Sequence, residues 1–371
     1  MRQARIGIIG AGYWATYFYL PFLQASDASC CVGVVRRNKE ALGALKQAFN
    51  LEIASPNVKD LLASGCDGII VASPHALHRE HVEQALDAGC HVLVEKPMSI
   101  TLVEAKAMSA AARRADRLLS VACGWNYSSI ALWASQMVAS GKLKEPREIV
   151  GSMSSSLIGL FSGQSGYGKV TLGKFEFEAS PDTYANPTAG GGYLYGQVSH
   201  QLGLALALIQ ADPVEVFARL GRLSNGVDID ASLSVEFADG TLGSFSGSGR
   251  LPWGVRYPMD IELFGDGGLV RLNFGLDRAE AFFHHQGATN TYRLEAGVQA
   301  FSGREPDEAL ATRDGDGLYT CEGPINMLIE RCVGRNAPDR APAELGVRVV
   351  AVLEAASRSA QLGRPVRVSE L

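Results

Sequence analysis

The strongest constraint on the fold is a short apolar run at 6–9 that ends in Gly10-Ala11-Gly12-Tyr13-Trp14-Ala15 and continues as a helical pattern. A buried strand that turns through glycine straight into a helix points to a parallel α/β sheet. The first glycine permits the tight turn, and the second lets a pyrophosphate approach the backbone. The small Ala15 lets the helix pack close to the sheet. A pyrophosphate bound there meets the positive end of the helix, cradled by Gly10, Gly12, Tyr13 and Trp14. The bland alternative is an ordinary β-to-α turn. The succession of strand, turn, helix and second strand favours dinucleotide binding.

The first 123 residues repeat this alternation. Strands are expected over 6–9, 31–35, 68–72, 91–95 and 118–123, each apolar on both faces as buried parallel strands are. Helices are expected over 13–25, 39–49, 77–88 and 102–114, the last opened by a Thr101/Glu104 capping box. Beyond residue 123 a helix is expected over 130–140, and then the period changes to two. Strands are expected over 214–223, 231–237, 242–248, 259–264 and 269–274, with hairpin turns at Asp239-Gly240 and at 265–268. Helices near 324–333 and 344–362 are expected to close this second unit. The stretch 157–188 fits no element, and loops of that length in compact domains are usually functional or mobile. At 371 residues the chain is long enough for two cores. The expected organisation is a Rossmann domain over 1–123 and an α+β domain over 124–371 with a large, mostly antiparallel open sheet.

The net charge of −5, without blocks of like charge, argues against nucleic acid or an anionic membrane as the main partner. Seven cysteines at 30, 31, 66, 90, 123, 321 and 332 show no metal-ligand spacing and read as free thiols of a reducing compartment. No apolar stretch approaches the ~20 residues needed to span a bilayer, and no cleavable site follows the first apolar run. A cytoplasmic location is expected.

At the end of the second strand, where an acidic residue would hold the ribose 2′-hydroxyl of NAD, the chain has Arg36 and Arg37. Two guanidinium groups suit a 2′-phosphate and either stacks on adenine, so NADP(H) is favoured and NAD(H) is possible. Solvated loop arginines are the alternative.

Glu95-Lys96-Pro97 follows the fourth strand candidate, at the edge of the sheet where α/β folds bind ligands. Four further segments accompany it: Ala72-Ser73-Pro74-His75, Leu77-His78, Ala88-Gly89-Cys90-His91-Val92, and Gly190-Gly191-Gly192 through His200. Together these motifs resemble the Gfo/Idh/MocA family of oxidoreductases, over nearly the whole chain and most specifically over 88–97. The resemblance implies that Lys96 lies between nicotinamide and substrate and takes up the hydroxyl proton. It implies a cis Pro97, and Ser73, Pro74, His75, His78 and Glu95 at the cofactor. His200 is expected at the reacting oxygen, and Asn126 facing the substrate. Where the family pattern has Asp, four residues before the histidine, this chain has Gly196; the neighbouring Gln197 offers a polar group that exchanges no proton at neutral pH. The resemblance also implies a homodimer or homotetramer formed through the open sheet face, which would otherwise be an apolar liability.

The stretch from Gly163 to Lys169 has P-loop spacing, but Val170 stands where Ser or Thr should hold magnesium. A loop over the substrate, with Tyr167 and Lys169 touching a sugar, is the better reading. His284-His285 has no third ligand at a suitable spacing, so no metal is expected. The expected activity is hydride transfer between nicotinamide and a secondary alcohol or ketone of a sugar, cyclitol or derivative. Two alternatives stay open. One is a non-catalytic nucleotide- or sugar-sensing protein, consistent with Gly196 and opposed by Glu95-Lys96-Pro97. The other is a redox enzyme that retains its cofactor and acts through a 3-keto-glycoside.

Overall fold

The computed structural model describes residues 2–164, 169–295 and 322–371; Tyr167 and Cys321 lie outside them. The first sheet contains β1 (Ala4–Ile9), β2 (Ser29–Val35), β3 (Ile53–Ser55), β4 (Gly68–Val71), β5 (His91–Val94) and β6 (Leu119–Val121). They are parallel, in the order β3-β2-β1-β4-β5-β6. Ile6, Ile8, Val32, Val34, Ile69, Ile70 and Val71 are fully enclosed, which explains why these runs are apolar on both faces. After β1 the chain enters a π-helical turn (Ala15–Tyr19) that runs on as α1 (Leu20–Ala25). Next come α2 (Lys39–Ala48), α3 (Val58–Leu62), α4 (His78–Asp87) and α5 (Leu102–Ala115). The Asn38 side chain caps α2 and Thr101 caps α5, accepting from Glu104 N at 3.3 Å. Strand β3 was not expected, because three residues carry too little periodicity to be seen.

The second unit continues through α6 (Ser129–Ala139), β7 (Pro146–Ser154), α7 (Ile158–Phe161), β8 (Lys169–Leu172), β9 (Phe175–Glu178) and α8 (Pro181–Tyr184). A second π turn (Leu194–Val198) leads into α9 (Ser199–Leu208). The remaining strands are β10 (Pro213–Arg222), β11 (Asp228–Phe237), β12 (Leu242–Ser248), β13 (Met259–Gly265), β14 (Gly268–Asn273), β15 (Arg278–His285), β16 (Ala288–Glu295) and β17 (Val366–Arg367). The helices α10 (Glu322–Cys332) and α11 (Ala343–Leu362) precede β17. The large sheet runs β16-β15-β14-β13-β7-β12-β11-β10-β17, antiparallel except where β12 meets β7. Helices α6, α9 and α11 cover one face. The other face presents Ser232, Ser234, Glu236, Ser244 and Ser246, all exposed. Leu242 is exposed beside them, and the half-buried Val150, Phe264, Leu269 and Phe282 continue the same face across β7, β13, β14 and β15, so this face is polar over β11 and β12 and mixed beyond them.

Two further expectations are corrected. Helix α10 packs on the first sheet rather than closing the second: Ile325, Leu328, Ile329 and Cys332 share one core with Ile6, Ile8 and Leu93. The stretch 157–188 is not elementless, because β8 and β9 form a hairpin. Phe177 of that hairpin is 1% exposed and is buried in the same Rossmann core, together with Ala11, Ala15 and Val34.

Candidate active site

The glycine turn behaves as its sequence requires. Gly10 has φ +97°, and a Cβ there would lie 2.3 Å from Ser73 N, so only glycine fits between the exits of β1 and β4. Gly10 N and Ala11 N donate to Val35 O at 3.0 and 3.1 Å, and Thr16 N donates to Gly12 O at 3.0 Å, opening the helix. A Cβ on Gly12 would meet nothing closer than Gly10 O at 4.0 Å. That open side, at the positive end of a helix, fits the pyrophosphate of a dinucleotide. Tyr13 and Trp14 begin this helix, with Tyr13 stacked on Tyr17 and Trp14 tilted against Phe18. At the end of β2, Arg36 Nη1 donates to Ala11 O at 2.6 Å, and its guanidinium lies 4.8 Å from the Phe177 ring centre. Burial lowers the Arg36 pKa, with Arg37 adding to the effect, while Arg37 itself is exposed.

Pro74 is exposed at the rim, and Ser73 Oγ lies 2.8 Å from His81 Nδ1. His78 is fully buried. Its Nε2 lies 2.8 Å from Ser73 O, and its Nδ1 lies 3.1 and 3.2 Å from Pro97 O and Met98 O. Expected at the cofactor, it instead ties the exit of β4 to the Lys96-Pro97 turn, whose peptide bond is cis. Burial pushes His78 down to about 4. His75, set edge-on to Tyr184 at 6.0 Å between centroids, is pushed down to about 3 by burial, His78 and Lys96. Both rings are neutral at physiological pH. The Glu95 carboxylate is buried beneath the first π turn, where it accepts from Tyr19 OH and, at 3.1 Å, from Lys96 N. Burial raises its pKa against the pull of Lys96 and these hydrogen bonds.

Lys96 reaches across to the second unit and donates from Nζ to Gly196 O at 2.8 Å. Gly196 lies in the π turn before α9, and that turn is pinned by Asp228 of β11, whose Oδ2 accepts from Leu194 N at 2.6 Å. A Cβ on Gly196 would lie 3.0 Å from Phe161 Cζ, so a fully buried aromatic ring crowds the place a side chain there would take. Gln197 is half-buried on the same turn. His200 follows one helical turn later, enclosed, its pKa driven well below the usual imidazole range by burial and by Lys96. The structure thus brings together Glu95, Lys96, His75, Gly196 and His200. It does not bring in Asn126, which is buried and donates from Nδ2 to Gly203 O and Arg340 O at 3.1 and 3.0 Å. Lys169 pairs with Glu176 within the hairpin over Arg36, at the β2 end of the sheet rather than beside β5. Sequence reasoning missed Tyr19, Phe161, Phe177, Tyr184 and Asp228, because each acts through a contact distant along the chain. Among the described residues no group of three His, Cys, Asp or Glu side chains is placed to hold a metal, and six cysteines are free.

Residues 4–123 match the model of an oxidoreductase family with an NAD-binding Rossmann fold, and residues 132–271 match the Gfo/Idh/MocA C-terminal domain. The chain is 27% identical over 248 residues to 1-carboxy-3-chloro-3,4-dihydroxycyclohexa-1,5-diene dehydrogenase of Comamonas testosteroni, covering 66% of this chain and 58% of that one. It is 37% identical over 125 residues to glucose-6-phosphate 3-dehydrogenase of Bacillus subtilis, covering 34% and 35%. The chain therefore spans somewhat over half of the first of these curated relatives and about a third of the second. A putative dehydrogenase from Bordetella bronchiseptica superposes with a TM-score of 0.75 at 18% identity, covering 99% of this chain and all of that one. GenD2 from gentamicin A biosynthesis, solved with NAD, superposes at 0.73 with 21% identity, covering 99% and 97%. These likenesses show the fold.

Proposed function

The chain belongs to the Gfo/Idh/MocA family of oxidoreductases, and on that premise we propose that it is an NAD(P)-dependent dehydrogenase or reductase. Its substrate is a secondary alcohol or ketone of a sugar, cyclitol or derivative. The observation that carries this reading is Lys96, at the exit of β5, held by the Gly196 carbonyl one helical turn before His200. Bound nicotinamide supplies the hydride acceptor or donor. The cradle for the pyrophosphate of its dinucleotide is Gly10, Gly12, Tyr13 and Trp14, with Ser73, Pro74 and His75 at the neighbouring rim. Lys96 Nζ takes the hydroxyl proton in oxidation and returns it in reduction, the Gly196 carbonyl holding it in place between turnovers. His200 is neutral and orients the reacting oxygen by a hydrogen bond, and Gln197 offers a second polar contact. With Gly196 in place of a carboxylate, proton transfer falls on Lys96 alone.

The names of the relatives support a sugar-like substrate. Arg36 and Arg37, with no acidic residue at the end of β2, support NADP(H) ahead of NAD(H). The free thiols agree with a reducing, cytoplasmic setting, and no described helix is long and apolar enough to cross a membrane. Self-association as a dimer or tetramer, through the open outer face of the large sheet, belongs to the same reading. Retention of the cofactor through a cycle of oxidation and re-reduction is a second reading, favoured by the hairpin packed over Arg36.

The test is nicotinamide absorbance with NAD and NADP against a panel of sugars and cyclitols, beside Lys96→Ala. The variant is expected to lose roughly 10²- to 10⁴-fold in kcat while its dinucleotide affinity stays near that of the wild type. Undiminished turnover in Lys96→Ala would sink the assignment.

A further inference from the structure

We propose that the β8–β9 hairpin is part of the dinucleotide site: Phe177 positions Arg36 as a stacking platform for the adenine ring and so slows departure of the cofactor. The inference rests on the dinucleotide-binding half of the proposed function and is independent of hydride transfer.

Position 36 ends the second strand, where a Rossmann sheet receives the adenosine ribose. Arg36 is fixed there on two sides. Nη1 is spent on Ala11 O at 2.6 Å, within the glycine turn, and one face of the guanidinium lies over the Phe177 ring at 4.8 Å. Nε is buried and has no hydrogen-bond partner. A planar cation set on an aromatic ring keeps its other face for a second π system. The ring beneath it comes from some 140 residues further along the chain. Val170, Leu172 and Phe175 pack beside Phe177 against the Rossmann core, so the hairpin is anchored by four apolar side chains, while its Lys169–Glu176 pair stays in solvent. Arg37 is exposed. The two arginines therefore divide the work: Arg36 serves the adenine common to NAD and NADP, and Arg37 is left to meet a 2′-phosphate.

The test uses the full chain with ADP-ribose, NAD, NADP and nicotinamide mononucleotide. Affinities are read by calorimetry, dissociation rates by stopped-flow fluorescence and folding by thermal unfolding. Phe177→Ala is expected to weaken ADP-ribose and NAD alike by about ten- to a hundredfold, with faster dissociation and little change for nicotinamide mononucleotide. Phe177→Leu keeps an apolar anchor without the ring; it is expected to unfold near the wild-type temperature and still bind ADP-ribose several-fold more weakly. Arg37→Ala should weaken NADP alone. Wild-type affinity for ADP-ribose in Phe177→Leu would overturn the proposal, including in the event that Phe177→Ala does not fold. A wild-type chain that binds none of the probes would overturn it together with the proposed function. Binding without turnover, lost on removing the ring, would support it while removing the proposed activity.

Discussion

The second unit touches the two ends of the cleft in opposite ways. Beside β5 it offers Lys96 a backbone carbonyl, Gly196 O, at a position with no side chain. Beside β2 it offers Arg36 an aromatic ring, Phe177, and no carbonyl. A carbonyl held in a π turn is a fixed hydrogen-bond acceptor whose placement depends on everything that shapes the turn. A ring on a hairpin acts through its side chain, so a conservative change such as Phe177→Leu removes the ring and keeps an apolar anchor. The first end is set by backbone and the second by side chain, so the two should respond differently to mutation.

The sharpest way to break this contrast is to give the carbonyl end a side chain. In Gly196→Asp the new Cβ would meet Phe161 Cζ and Cε1 at 3.0 and 3.2 Å, and that ring is fully buried with Tyr184 and Tyr193 around it. Ring or turn must give by a few tenths of an ångström, and with the ring enclosed the expected strain of ~1–3 kcal/mol falls on the turn that holds the carbonyl against Lys96. Turnover should fall by about a hundredfold even though the family's carboxylate has been restored. Phe161→Ala removes the obstruction, so the double variant should be more active than Gly196→Asp alone. Strictly additive losses in a double-mutant cycle would show that Phe161 and position 196 are not coupled.

The same contrast governs what could be read in advance. Both π turns, the docking of α10 on the first sheet and the burial of Phe177 left no periodic trace, because each is decided by a partner far along the chain. The glycine turn, the parallel strands and Glu95-Lys96-Pro97 were legible because backbone conformation and two-sided burial dictate residue type locally. Asn126 shows the limit of motif reasoning. Its position was recognisable, but both hydrogens of its amide nitrogen go to the carbonyls of Gly203 and Arg340, and its Oδ1 is buried. Ser232, Ser234, Ser244 and Ser246 show another: alternation located the strands, while the make-up of the outer face, serine-rich over β11 and β12 and carrying Val150, Phe264, Leu269 and Phe282 beyond them, follows only from the order of the strands in the sheet.

A smaller effect is expected from the charge that pins the carbonyl end. Burial raises the Asp228 pKa to about 6, against hydrogen bonds from Leu194 N and other backbone amides that favour the anion. The folded state therefore prefers the protonated acid. Its stabilising contribution is fully present below the ordinary aspartate value of ~4 and is lost as pH rises through about 6, on the order of 3 kcal/mol. His75 and His78, lowered to about 3 and about 4, have the opposite sign: their contribution is present above ~6.5 and is lost as pH falls. Asp228→Asn keeps an acceptor for Leu194 N and removes only the first dependence. Thermal midpoints measured from about pH 4 to 8 should converge for the two proteins at the acid end, with the variant relatively more stable at the neutral end. Parallel curves would mean that Asp228 does not titrate in this range.

The smallest effect separates the ring from the ions at the adenosine end. The Lys169–Glu176 pair spans 2.8 Å across the hairpin, but its side chains are 44% and 55% exposed. Water screens a pair of this kind, and the entropy of fixing two long side chains offsets most of the attraction. The apolar side of the hairpin is enclosed instead: Phe177 is 1% exposed under Arg36. Lys169→Ala should therefore leave the thermal midpoint almost unchanged and ADP-ribose affinity within about twofold, since RT ln 2 is a fraction of a kcal/mol. If the hairpin were held by its ions, Lys169→Ala would loosen the dinucleotide as much as Phe177→Leu does, and raising the salt concentration would mimic the mutation. Held by its ring, the hairpin should be indifferent to both, and ADP-ribose binding by Lys169→Ala at low and high salt decides between them.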